Sequence, residues 1–264
     1  QPPPATPAPV RAPGVWAALG WITLYFALQM VGSTVLTLGL AIATGYLHSW
    51  HALLHAEEVF GTALAQPGMQ SVVAILTLAG AALPILLLTW RRWPALWSLG
   101  RPPGFGFVAP AAARFLWLAI VVGVAATIFG GWLTQWLAHG QSVTQNIQQL
   151  GEKTPLGWRI PLALMAVSVA PLVEELLFRG VLLSALLQRW GSRAAVLLSS
   201  LLFALLHVPG LNWQLIALPD LLLLALALAW LRLRSGSIWP GVLAHGTYNL
   251  MAVAAWFVAA HAGG

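Results

Sequence analysis

The chain has 264 residues, of which 59% are hydrophobic and 7% charged, with a mean hydropathy of +0.83. A soluble domain carries roughly 25% charged residues, so this composition excludes a soluble core and requires an integral membrane protein. The 12 basic against 6 acidic residues bear on topology rather than nucleic-acid binding, and the lack of cysteine excludes disulfides, thiolate catalysis and thiolate zinc sites.

Residues 1–14 (QPPPATPAPVRAPG) are rich in Pro and Ala and read as a disordered tail. The chain begins without Met. No charged n-region, short apolar stretch and cleavage site precede the first apolar run, which therefore reads as a retained helix. Seven apolar runs follow, at about 15–47, 69–90, 114–137, 158–188, 194–208, 214–231 and 238–260. They are continuous over the ~20 residues that a spanning helix needs and lack the ~10-residue alternation of barrel strands. The predicted fold is all-α: a polytopic transmembrane bundle of about seven spans around a membrane-embedded polar cavity. The first and fourth runs exceed one span, which calls for tilt, a kink or an interfacial extension. Pro171 is the expected kink in the fourth. The fifth is short and stops at His207-Val-Pro-Gly210, a helix-ending signal. No internal repeat is evident, which weighs against an inverted-repeat transporter.

Arg11, Arg91, Arg92, Arg101, Arg114, Arg189, Arg193, Arg232 and Arg234 fall on one side of this arrangement, and only Lys153 and Arg159 on the other. The positive-inside rule then makes the N-terminus cytoplasmic and the C-terminus external. Trp90, Trp93, Trp97, Trp158, Trp190 and Trp239 sit at run ends, as in an aromatic belt.

Glu57, Glu58 and Glu152 lie between the apolar runs, which leaves Glu174, Glu175 and Asp220 inside them. An ionisable group at bilayer depth costs at least ~2.5–3.5 kcal/mol on insertion scales and marks a functional site by default. Glu175 and Arg179 are spaced i, i+4 with the acid first, the favourable order for a helical ion pair. Glu174 lies about 100° around the helix, shares that pairing poorly, and is left as the reactive carboxyl. The competing reading has both glutamates paired with Arg179 for packing alone. Phe203-Ala-Leu-Leu-His207 and His245-Gly-Thr-Tyr-Asn249 add polar groups to two further apolar runs. At 1.5 Å per residue from the nearest basic markers, Glu174, His207 and Asn249 all come to about 21–22 Å. Their coincident depth predicts one site.

In that order, Glu174-Glu175-x-x-x-Arg179, Phe203-x-x-x-His207 and His245-x-x-x-Asn249 resemble the CAAX protease and bacteriocin-processing (CPBP) family, which includes the Ras-converting CAAX prenyl endopeptidase. The resemblance covers about residues 158–260. It implies an intramembrane endopeptidase of the glutamate type, with 15–157 as N-terminal transmembrane helices and 158–264 as the catalytic core. It implies that Glu174 and His207 activate water, that His245 and Asn249 stabilise the oxyanion, and that Glu175, Arg179 and Phe203 support them. Eukaryotic CAAX endopeptidases carry F-x-x-x-H-x-x-x-N in the second motif. Here Leu211 holds the last position and Asn212 comes one residue late, which favours a prokaryotic membrane protein and leaves the substrate open.

The implied partners are a membrane-associated protein or peptide substrate and the lipid bilayer, with no nucleic acid and no cofactor. No serine forms a convincing triad and H-E-x-x-H is absent. Glu174, His207 and His245 would suit zinc by ligand type alone, and the metal-free reading is preferred because of the resemblance. Two rivals remain: a non-enzymatic membrane binding or scaffold protein, and a proton- or metal-coupled transporter. His48, His51 and His55, followed by Glu57 and Glu58, suit either an interfacial amphipathic helix or an outer-surface metal site. Asp220, next to Pro219, is expected to cap the sixth run or to line the cavity.

Overall fold

The computed structural model describes residues 11–43, 49, 54–65, 68–139, 141, 143 and 146–262. No strand occurs among the described residues. In chain order the helices are α1 (Val15–Ala43), α2 (Ala56–Leu64), α3 (Met69–Arg92), α4 (Pro94–Trp97), α5 (Arg114–Ala138) and α6 (Asn146–Lys153). A long helical segment, Leu156–Leu206, comes next, and α10 (Leu218–Ser235) and α11 (Trp239–Ala262) complete the bundle.

Among the described residues, six helices are long and apolar enough to cross a membrane, and one of them is the 51-residue Leu156–Leu206 segment. A straight helix would place Glu174 and His207 about 50 Å apart, yet their side chains lie 3.5 Å apart. The reversal falls at Gly191, whose φ of 77° and ψ of 179° belong to a region that only glycine occupies readily. The segment is therefore two passes, which gives the seven expected from the sequence. Its parts are α7 (Leu156–Leu164), a π turn at Met165–Val169, α8 (Ala170–Glu175), a second π stretch at Leu176–Leu182, and α9 (Leu183–Leu206).

Pro171 acts through the first π turn. Ala170 N–H bonds to Met165 O, the i→i−5 pattern of a π-helix. The next carbonyl in that ladder, Ala166 O, would need an N–H from Pro171, which has none. The proline expected to kink this pass is thus absorbed by a π turn that leaves a carbonyl free.

Several boundaries differ from the sequence reading. α1 is described as far as Ala43, so the expected end of the first run, at 44–47, lies outside the described residues. The sixth run begins as a 3-10 turn at Leu215–Ala217 and its helix continues to Ser235. Asp220 stands in the first turn of α10 but makes no capping bond. Trp90, Trp158, Trp190 and Trp239 are exposed at helix ends. Trp93 and Trp97 are instead half-buried against Phe105 and Phe107, with Trp97 and Phe107 stacked at 4.2 Å.

One apolar core joins the N-terminal helices to the motif-bearing segment. Ala18, Ile22 and Tyr25 of α1 and Ala81, Ala82 and Ile85 of α3 pack with Val173, Leu176, Leu177, Phe178 and Val181. The Arg159 guanidinium ties the opposite end together. It is buried, and it donates to Thr154 O at 2.8 Å, Glu152 O at 3.3 Å and Trp256 O at 2.8 Å. Those carbonyls lie at the C-terminal end of α6 and on α11, so Arg159 pins the short polar helix α6 to the bundle.

Gly191→Ala forces a Cβ into a glycine-only conformation. It should cost about 1–3 kcal/mol, read as a lowered Tm of the detergent-solubilised protein.

Candidate functional site

The site is built where α8, the end of α9 and the middle of α11 meet. Glu175 is fully buried and its Oε1 lies 3.1 Å from Arg179 Nη1, one turn further along. Arg179 is also buried; its Nη2 donates to Ala225 O of α10 at 3.1 Å, and its guanidinium lies 4.5 Å from the Phe203 ring. A charge at this depth is tolerable only with such partners. Glu174 makes no ion pair with Arg179 among the described residues. Its Oε2 instead faces His207 Nε2 at 3.5 Å and His245 Nε2 at 3.8 Å. The two carboxylates divide as the helical spacing predicted.

His245 joins the pair in a way that the sequence did not indicate. Its other ring nitrogen, Nδ1, lies 3.4 Å from Glu175 Oε1, so one imidazole bridges both glutamates. Gly241, one turn earlier on α11, makes room for this contact, since a Cβ there would meet Glu175 Oε2 at 2.6 Å.

His207 follows the last residue of α9, and its Nδ1 lies 2.7 Å from Phe203 O. A carbonyl can only accept, so Nδ1 carries a proton. In the neutral ring Nε2 is then an acceptor, and it faces a carboxylate that also accepts. Two acceptors at 3.5 Å call for a donor between or beside them, as a water would supply. The Phe203 ring, fully buried, lies 4.4 Å from the His207 ring, 5.6 Å from that of His245 and 5.1 Å from Phe178. It holds both imidazoles in place without competing for their nitrogens.

Asn249 donates its Nδ2 to Ala166 O at 2.8 Å. That is the carbonyl released by Pro171, so the π turn and the asparagine satisfy one another. The neighbouring Val167 O approaches α11 at Gly246, where a Cβ would lie 2.6 Å from it. With one amide hydrogen anchored, the other remains for the cavity.

Glu174, Phe203, His207, His245 and Asn249 line one cavity of about 190 Å³, closed on one side by Ile147 and Gln148 of α6. Glu175 and Arg179 stand behind it. The cavity also takes in Tyr248 and Trp256, which sequence reasoning missed. Tyr248 precedes Asn249 and donates its hydroxyl to Asp220 Oδ2 at 2.8 Å. The aspartate thus stands behind a lining residue, and a lone tyrosine in an apolar helix gave no separate signal. His48 and His51 lie outside the described residues, and Glu57 and Glu58 occupy the first turn of α2, where the helix dipole favours acids.

Residues 156–251, which include all seven of these motif positions, match the family model for type II CAAX prenyl endopeptidase Rce1-like proteins. The resemblance to CAAX proteases therefore holds over this segment. No curated protein and no solved structure matches the chain.

Glu175→Gln leaves the buried Arg179 without its counter-charge and should destabilise the fold by about 3–5 kcal/mol. Gly241→Ala, which drives a methyl into the same carboxylate, should act in the same direction. Thermal unfolding in detergent measures both.

Proposed function

We propose that this protein is an intramembrane endopeptidase of the glutamate type that hydrolyses a peptide bond of a membrane-associated protein or peptide. The observation that carries the reading is Glu174, set between the Nε2 atoms of two histidines in one cavity while Glu175 neutralises Arg179.

In this mechanism a water sits against Glu174 and His207. Glu174 takes one proton as the water oxygen attacks the carbonyl carbon, and the carbonyl π electrons move onto oxygen. His245, held with Nδ1 beside Glu175, turns Nε2 toward the cavity. An N–H there and the free amide hydrogen of Asn249 stabilise the oxyanion. As the tetrahedral intermediate collapses, the C–N bond breaks and the leaving amine takes a proton back from the Glu174–His207 pair. Phe203 and Glu175 position the two imidazoles, and Arg179 holds Glu175. Preorganised donors of this kind act strongly because the site is dry and needs no reorganisation.

We assign the N-terminus to the cytoplasm. Arg159 and Arg232 are buried in the protein and drop out of the charge bias. Arg11, Arg91, Arg92, Arg101, Arg114, Arg189, Arg193 and Arg234 remain exposed on one side, against Lys153 on the other. The bias survives. The cavity, roofed by α6 and bordered by the His207 turn, lies toward the Lys153 side. It is therefore reached from outside the cytoplasm, in what we read as a prokaryotic cell membrane.

Glu174→Gln keeps the side chain's shape but removes the base, and should lower kcat by about 10²–10⁴-fold. Asn249→Ala should cost about 2.7–4 kcal/mol as a lost oxyanion donor. Cleavage of a membrane-anchored peptide pool by the purified enzyme measures both, with folding checked by Tm. A strong chelator should leave the rate unchanged; loss restored by zinc would convert Glu174, His207 and His245 into ligands. Activity that persists in Glu174→Gln would remove catalysis from this site.

The orientation is tested separately in the cysteine-free chain. An impermeant thiol reagent on intact cells should label Glu152→Cys and leave Ser98→Cys unlabelled until the membrane is opened. The reverse pattern overturns the orientation.

A further inference from the structure

A second, larger concavity lies between α1 and α3. It encloses about 790 Å³ and ends on Pro209 and Gly210, two and three residues past His207. Its walls are unusual for lipid-exposed helices. Gln29, Ser33 and Thr37 are spaced i, i+4 and i+8 on one face of α1, and Gln70 and Thr77 look across from α3. Away from the groove, Val31 and Val35 of α1 are exposed, as a lipid-facing surface should be.

The polar side chains do not satisfy one another. Among the described residues no hydrogen bond links the α1 stripe to Gln70 or Thr77. Thr77 is only 8% exposed and its Oγ1 has no partner. A buried hydroxyl without a partner costs roughly 1–3 kcal/mol, so a groove of this kind is suited to an occupant rich in backbone donors and acceptors. Lipid chains offer none. An extended polypeptide offers one N–H and one C=O per residue.

The groove also adjoins the cavity that holds Glu174 through shared lining residues. Asn146 and Gly210 line both it and a smaller cavity of about 350 Å³. Ile147, His207 and Leu221 in turn line both that cavity and the one holding Glu174. At the neck between them, Asn146 Nδ2 donates to Pro209 O at 3.3 Å. A chain laid along α1 would thus pass under the start of α6 and arrive at His207.

We propose that the α1–α3 groove binds an extended, unfolded segment of the polypeptide substrate and delivers it past Asn146 to the Glu174–His207 site. This rests on the endopeptidase reading, and it makes Gln29, Ser33, Thr37, Gln70 and Thr77 contacts for the substrate backbone. Recognition through backbone groups tolerates many side chains, so the groove selects for unfolded chain and not for one sequence.

The probe is a pool of peptides in which a randomised segment is joined to one apolar membrane-spanning helix. A photoreactive benzoylphenylalanine is placed at position 33 in the Glu174→Gln protein, reconstituted with this pool and irradiated, and the adducts are identified by mass spectrometry. Adducts to the randomised segment are the expected result. Adducts only to lipid, to a second copy or to the protein's own chain overturn the proposal, as does the absence of peptide adducts. In the active protein, Ser33→Trp should raise KM by about tenfold, a loss of about 1.4 kcal/mol in binding, with kcat little changed. The lipid-facing control Val31→Trp should leave both unchanged. The two readings fail differently. Peptide adducts without Glu174-dependent cleavage would keep the groove and remove the protease. Glu174-dependent cleavage without peptide adducts and without a KM effect would keep the protease and remove the groove.

Discussion

Two adjacent carboxylates inside a bilayer impose the constraint on which the rest of this structure depends. Each must meet a counter-charge or a donor, because the low dielectric that strengthens a good pair makes an unpaired charge costly. The helix offers only one i, i+4 cation, Arg179, and it goes to Glu175. Glu174 must then be satisfied by other helices, and His207 and His245 are brought to it from α9 and α11. The sharp reversal at Gly191, the π stretches of the fourth pass and the cleared space at Gly241 all serve that convergence.

The π turn shows how one residue type propagates through the site. Pro171 removes a donor, the ladder widens to i→i−5, and Ala166 O is freed at bilayer depth. A free carbonyl there has no water to turn to. Asn249 supplies the hydrogen bond and is itself fixed in orientation by it. The same defect that would weaken an ordinary spanning helix therefore immobilises an amide beside the cavity. Catalysis by preorganised dipoles depends on such rigidity more than on the number of donors.

Much of this was legible in the sequence, for a physical reason. Polar residues are rare in spanning helices, so Glu174, Glu175, Arg179, His207, His245 and Asn249 stood out against an apolar background, and helical spacing gave Arg179 to Glu175 and left Glu174 for other partners. The motif order carried the family resemblance, and the seven passes followed from run length. What could not be read were contacts between residues distant in sequence that carry no charge signal. Tyr248 lies in an apolar helix, and only the fold places its hydroxyl on Asp220. Arg159 and Arg232 looked like topology markers. Their burial against the carbonyls of Trp256 and Gly104 is a tertiary fact. α6 is too short and polar to register as a span, yet it roofs the site.

The departure from the eukaryotic second motif gains a structural meaning. At the position where an asparagine would follow His207 by four, Leu211 is buried against Ala204, Ala217 and Leu221 in the 3-10 turn. Asn212 adopts φ 52°, a left-handed conformation that asparagine tolerates better than most residues, and its N–H closes the turn on Pro209 O at 3.2 Å. The residue one place late is therefore used to reverse the chain, not to face Glu174. Two side-chain amides line the cavity, and that of Gln148 is engaged with Glu152, which leaves Asn249 as the amide on the motif-bearing helices. The Asn249 amide and the two imidazoles rely on fixed placement. Phe203 against both rings, Glu175 behind His245 and Ala166 behind Asn249 supply it.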